Sequence, residues 1–168
     1  MQDYFATLAL ANRWANALLY AELAKLSPAQ LAQASEANFG SMLAIANHTV
    51  LADRAWLCRF TGEGGPVASV DAVPWPDFAD LRAAREAGDA RMVAFTEGLA
   101  PERLAGTLRY RDMKGRDCAE PFLLCLGHFY NHQTFHRGQL HALLGLCGIK
   151  APNLDLIYYH VAQRRASA

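Results

Sequence analysis

The sequence predicts an all-α fold: an antiparallel four-helix bundle with a small β-hairpin before the last long helix and a short C-terminal helix. Three observations lead there. Hydrophobic residues make up 52% of the 168 positions, and the excess over an average domain is mostly alanine and leucine, which favour helix. Long stretches carry apolar residues at spacings of three and four, the signature of a helix with one buried face. Capping residues, prolines and glycines fall between those stretches, and short or moderate connections return successive helices antiparallel. A chain of this length is expected to form one domain, residues 1–168, with a core that needs no staples.

The first helix is expected over residues 3–26, where Phe5, Leu8, Asn12, Ala15, Leu19 and Leu26 share a face. Ser27-Pro28-Ala29-Gln30 ends it as a capping box with proline at the first helical position. Residues 33–40 connect to a second helix, residues 41–60, with Ser41 as N-cap. Its inward stripe is Ile45, His48, Ala52, Ala55 and Trp56, while Asn47 is expected at the helix surface. Thr61-Gly62-Glu63-Gly64-Gly65-Pro66 stops it, and residues 64–76 form the longest loop, from which Trp75 and Phe78 fold back onto the helices.

Asp77 caps a third helix over residues 77–99, with Phe78, Leu81, Gly88, Met92, Phe95 and Leu99 inward. Residues 106–119 break the helical habit and read as a hairpin turning at Asp112-Met113-Lys114-Gly115. Pro121 opens the fourth helix, which closes near Gly148. A tail helix follows over residues 154–163 with Tyr158, Tyr159 and His160.

Lys+Arg and Asp+Glu are 16 each, so the formal charge is zero. A nucleic-acid partner, which calls for a basic face, is not expected. Cys58, Cys118, Cys125 and Cys147 are widely spaced with no Cys-x-x-Cys, as reduced thiols are. No basic leader precedes a long apolar run, and no apolar run reaches the ~18 residues of a membrane span. A soluble cytoplasmic protein with no membrane partner is the expectation.

Four of the six histidines lie within residues 126–144. His128, His132 and His136 stand four apart, in line along one helix face. His132 and His136 also continue the core stripe of Phe122, Cys125, Phe129, Leu140, Leu143 and Cys147. Two core imidazoles at i and i+4 are placed to bind one divalent ion, and His48 is the only histidine on a separate strongly patterned helix. Together the three could supply a facial set of nitrogens to zinc or nickel, leaving positions open for water or substrate. No cysteine has ligand spacing near these histidines, and no carboxylate shares their face. A lone core histidine such as His48 is more often simply hydrogen-bonded, so position alone leaves its role open. His128 either joins the pocket or bonds a partner helix. His141 is expected at the surface or an interface, and no partner suggests itself for His160. Arg137 reads as an ion-pair partner of an acid such as Asp53, in preference to a free surface cation. Asn131 and Gln139 could orient ligands through hydrogen bonds.

Asn131-His132-Gln133-Thr134-Phe135-His136-Arg137-Gly138-Gln139 resembles the signature of the DinB/YfiT-like family, a group classed as metalloenzymes. So does Phe39-Gly40-Ser41 leading into a helix with His48, Asp53 and Trp56. The resemblance runs over nearly the whole chain, the hairpin included. It implies a four-helix bundle that binds one divalent metal per chain, nickel or zinc, through His48, His132 and His136, often as a homodimer. In one departure, Phe135 stands where many relatives carry a second histidine; it is expected to repack a neighbouring position and leave the site intact.

The resulting expectation is a metal-dependent enzyme acting on a small molecule, a hydrolase or a transferase of a low-molecular-weight thiol. His128 is the candidate acid–base group. A different class remains: a non-catalytic metal-binding protein of the stress response, acting through dimerisation. A metal-free bundle with merely hydrogen-bonded histidines is the third reading.

Overall fold

In the computed structural model, which describes residues 1–166, each long amphipathic stretch becomes a helix. They are α1 (Gln2–Leu23), α3 (Met42–Thr61), α4 (Phe78–Glu97) and α6 (Phe122–Leu146). Single turns α2 (Pro28–Leu31) and α5 (Pro101–Leu104) follow α1 and α4, and α7 is Leu156–Ala166. The strands β1 (Thr107–Arg111) and β2 (Asp117–Pro121) pair antiparallel, with Tyr110 opposite Cys118. The first helix stops three residues earlier than periodicity predicts, because Ser27 nucleates α2. Its hydroxyl accepts from the Gln30 amide while the Gln30 side chain accepts from the Ser27 amide, and Leu26 packs from the connection.

The caps explain the other boundaries. Ser41 accepts from the Ala44 amide to start α3, and Asp77 accepts from Ala79 and Asp80 to start α4. Gly62, in the left-handed region at φ 77°, ends α3 where a side chain would be strained.

α1 packs on α4 and α6, and α3 packs on α6 and α4; the hairpin lies against α3 and α6, and α7 against α1. The four long helices enclose two apolar clusters. One gathers Phe5, Phe60, Met92, Phe122 and Phe129, and the other Leu19, Leu23, Ile45, Leu81, Leu140 and Leu144. Each such side chain is worth about 1.5–3 kcal/mol when fully buried.

Between the clusters, midway along every long helix, lies a buried polar layer. Arg85 on α4 bonds Asp53 of α3 at 2.5 Å and Asp89 at 3.0 Å. Gln133 of α6 donates to the other Asp53 oxygen, and Asn12 and Asn16 of α1 donate to Asp89. Arg137 does not meet Asp53 as expected: it donates to the side-chain carbonyls of Asn12 and Asn16 and to Thr134. Arg85, already inside the core, reaches Asp53 first. Gly88 leaves room beside it, since a Cβ there would lie 3.1 Å from the Arg85 guanidinium, a tight approach.

Asn47 is buried, not at the surface. It exchanges two hydrogen bonds with the Trp75 backbone, each 3.0 Å, and donates to Leu43. That clamp ties the long loop to α3. No helix of the described residues is long and apolar enough to cross a membrane.

Candidate metal centre

The i, i+4 spacing on α6 and the inward stripe of α3 bring His132, His136 and His48 together. His132 Nε2 lies 3.3 Å from His48 Nε2 and 3.1 Å from His136 Nε2. One ligand atom from each of the three lies within 4.8 Å of the others, a set that could hold a metal ion. Among the described residues no fourth His, Cys, Asp or Glu joins them.

The hydrogen bonds at the back of the rings fix which nitrogens face inward. His48 Nδ1 donates to the Val70 carbonyl at 2.9 Å, and His136 Nδ1 donates to Gln139 Oε1 at 2.7 Å. A neutral imidazole has one N–H, so Nε2 of both rings carries a lone pair, and both aim at His132. A single proton on His132 Nε2 can satisfy only one of them. A shared cation satisfies all three, and separations of 3.1–3.3 Å suit two nitrogens ligating one ion at about 2.0–2.1 Å.

Electrostatics agree with the geometry. Burial lowers the pKa of His48 and of His136, with the Val70 and Gln139 hydrogen bonds opposing it. His132 is lowered furthest, to about 3, by burial and then by the neighbouring His136 and His48. All three rings are therefore neutral near pH 7, the form that binds metal.

Phe39 completes the inner wall. Its ring stacks on His48 at 3.9 Å and meets His136 edge-on at 5.7 Å. To put it there the backbone takes φ 68° at Phe39, a left-handed conformation that costs an aromatic residue of order 1–3 kcal/mol.

His48 and His132 open onto a cleft of about 320 Å³ between α3, α6 and the hairpin, walled by Trp56, Arg59, Tyr110 and His128. His128 is exposed there, its ring 5.8 Å from His132 and 5.1 Å from Trp56. Partial desolvation and then the Arg59 cation lower its pKa. Gln139 bonds a candidate ligand, whereas Asn131 is exposed and bonds none of the three histidines. Phe135 is 57% exposed and touches His136 only edge-on; it repacks nothing in the core, because its position on α6 faces outward. His141 bonds the Pro152 carbonyl, and His160 is exposed.

Sequence reading missed Val70, Phe39 as a ring partner and Asn47 as the clamp. Val70 acts through its backbone, which no side-chain pattern reveals. Phe39 and Gly40 carried a signal, a bulky residue before glycine in a tight connection.

Fold and site together define a mainly helical protein with a small hairpin and a three-histidine cluster able to hold a metal. The chain belongs to the DinB family, whose profile matches residues 1–166. It is also similar to a DinB-like protein of known crystal structure from Bacillus cereus ATCC 10987. That likeness has 21% identity and a TM-score of 0.62, covering 83% of this chain and 89% of the other; it speaks for the fold. No curated protein matches the sequence.

Proposed function

We propose that this protein is a divalent-metal-dependent enzyme for a small molecule, with one ion of zinc or nickel held by His48, His132 and His136. The observation that carries the reading is the convergence of three neutral imidazole nitrogens, two with their lone pairs fixed inward, at the foot of an open cleft. Three nitrogen ligands with no fourth protein group among the described residues suit a catalytic centre better than a closed structural one. The ion would polarise a carbonyl or lower the pKa of a bound water or thiol toward neutrality.

The chain's own residues supply the rest. Val70 and Gln139 hold the tautomers of His48 and His136, and Phe39 shields their rings from water. His128, neutral at the cleft mouth, is placed to take a proton from an incoming group. Hydrolysis and transfer of a low-molecular-weight thiol both fit this arrangement. The four long helices, packed in a closed ring of pairs, support an antiparallel four-helix bundle acting as one domain over residues 1–168. An uncharged outer face on α6 supports a homodimer.

Elemental analysis of tag-free protein tests the centre. About one metal per chain is expected in the wild type, with loss in both His48→Ala and His136→Ala. Wild-type protein that stays metal-free after reconstitution would overturn the proposal.

A further inference from the structure

We infer that the cleft beside the three histidines selects a small molecule carrying a carboxylate, and that Arg59 is the residue that receives it. This rests on the metal-centre reading above and names the substrate class of that same site.

Arg59 sits on α3 one turn beyond Trp56. Its guanidinium carbon lies 4.6 Å from the Trp56 ring and 4.9 Å from the Tyr110 ring. Those rings are 5.5 Å apart and inclined at 57°, so the cation rests in the corner they form. Ring contact of this kind holds the planar group through its face and leaves the N–H donors on its edge. Among the described residues no carboxylate lies within ion-pair distance of Arg59.

Among the described residues Lys114, Arg116 and one acid, Asp112, line the cleft from the hairpin turn, and Asp71, next to Val70 in the lining, lies near enough to His48 to act on it. Asp112 is already engaged, pairing with Arg116 at 2.6 Å and accepting from the amides of Lys114 and Arg116. Arg116 and Asp112 cancel, which leaves Arg59 and Lys114 as the excess charge of the lining. Ring contacts run from Arg59 through Trp56 and His128 to His132. A molecule anchored by its carboxylate on Arg59 extends along Trp56 toward the histidines. An edge-on guanidinium binds a carboxylate through two parallel hydrogen bonds, which an amide cannot reproduce.

The test is titration of ¹⁵N-labelled protein, zinc-loaded and metal-free, with succinate and with its neutral isostere succinamide, followed by NMR. Succinate is expected to shift the amides around Arg59 and Tyr110 in the zinc-loaded protein, and succinamide to bind at least about tenfold more weakly. Arg59→Gln should remove the preference for the acid, and Arg59→Lys should keep part of it, both with unchanged zinc content. Equal binding of acid and amide, no binding of either, or undiminished succinate binding in Arg59→Gln would each overturn the assignment. Failure of the metal reading shows separately, as absence of zinc from the wild type, while the metal-free titration still reports on Arg59.

Discussion

At His132 the folded protein holds a ring whose pKa has fallen from 6.5 to about 3. Between those values the unfolded chain binds a proton that the folded one does not, so without metal the folded state loses stability as pH falls through 6.5. His48, His136 and His128, also lowered, act in the same direction. Asp53, raised to about 6, and Asp89, also raised, act oppositely: folding favours their protonated forms, which stabilises as pH falls. The histidines and the two carboxylates pull in opposite directions, so the contribution of His132 is read as the difference between the wild type and His132→Gln. Its ceiling is about 1.4 kcal/mol per pH unit, and solvent reaching the partly exposed ring makes it smaller. Urea denaturation in the presence of chelator, between about pH 7 and about pH 5, should show the wild type losing more, or gaining less, stability than His132→Gln as pH falls. A variant with the wild type's pH dependence would contradict the neutral-cluster picture. The histidine pair was legible in the sequence because i, i+4 spacing converts directly into adjacency. Which nitrogen faces inward was not, since that depends on the Val70 carbonyl and on Gln139.

At the scale of elements, hydrophobic periodicity located all four long helices but missed the charged residues that α4 buries. The pattern places Leu81, Met92 and Leu99 inward, where they are buried, and Phe78 and Phe95, which pack half-buried against the core, but it passes over Arg85 and Asp89, which the helix also turns inward. A scale that scores charge as surface cannot see a charge stabilised by partners from other helices. Arg85 is 2% exposed, and its Nε and Nη1 have no hydrogen-bond partner. The ion's burial is therefore compensated through Nη2 and the two carboxylates alone. Arg85→Met should strand Asp53 and Asp89 in the core and destabilise the protein by about 3–5 kcal/mol, read as a lowered denaturation midpoint. Adding Asp53→Asn should recover part of that loss, because the stranded charge is what costs most. A single variant within about 0.5 kcal/mol of wild type would show the layer to be dispensable.

For the whole molecule, the outward face of α6 sets the question of assembly. Leu124, Phe135 and Leu146 are 62%, 57% and 84% exposed. They stand eleven residues apart, and at 3.6 residues per turn eleven residues return to within about 20° of the same direction. Asn131 and Ala142, exposed between them, add no charge. The three residues span roughly 33 Å at 1.5 Å per residue, and large apolar side chains exposed along one uncharged helix face suit an interaction surface. A second copy of the chain, related by a two-fold axis, presents the same face and can cover it isologously. Phe135→Glu puts two like charges at the centre of such a contact, so light scattering behind size exclusion should find a dimer for the wild type and a monomer for the variant. The Phe135 ring meets His136 only at its edge, 5.0 Å away, and the imidazole stays anchored by Gln139, so metal content should survive the substitution. A monomeric wild type would remove the dimer from the proposal and leave the centre standing. A monomeric variant that also loses its metal would mean instead that the α6 interface, and not the Gln139 bond, keeps His136 in place.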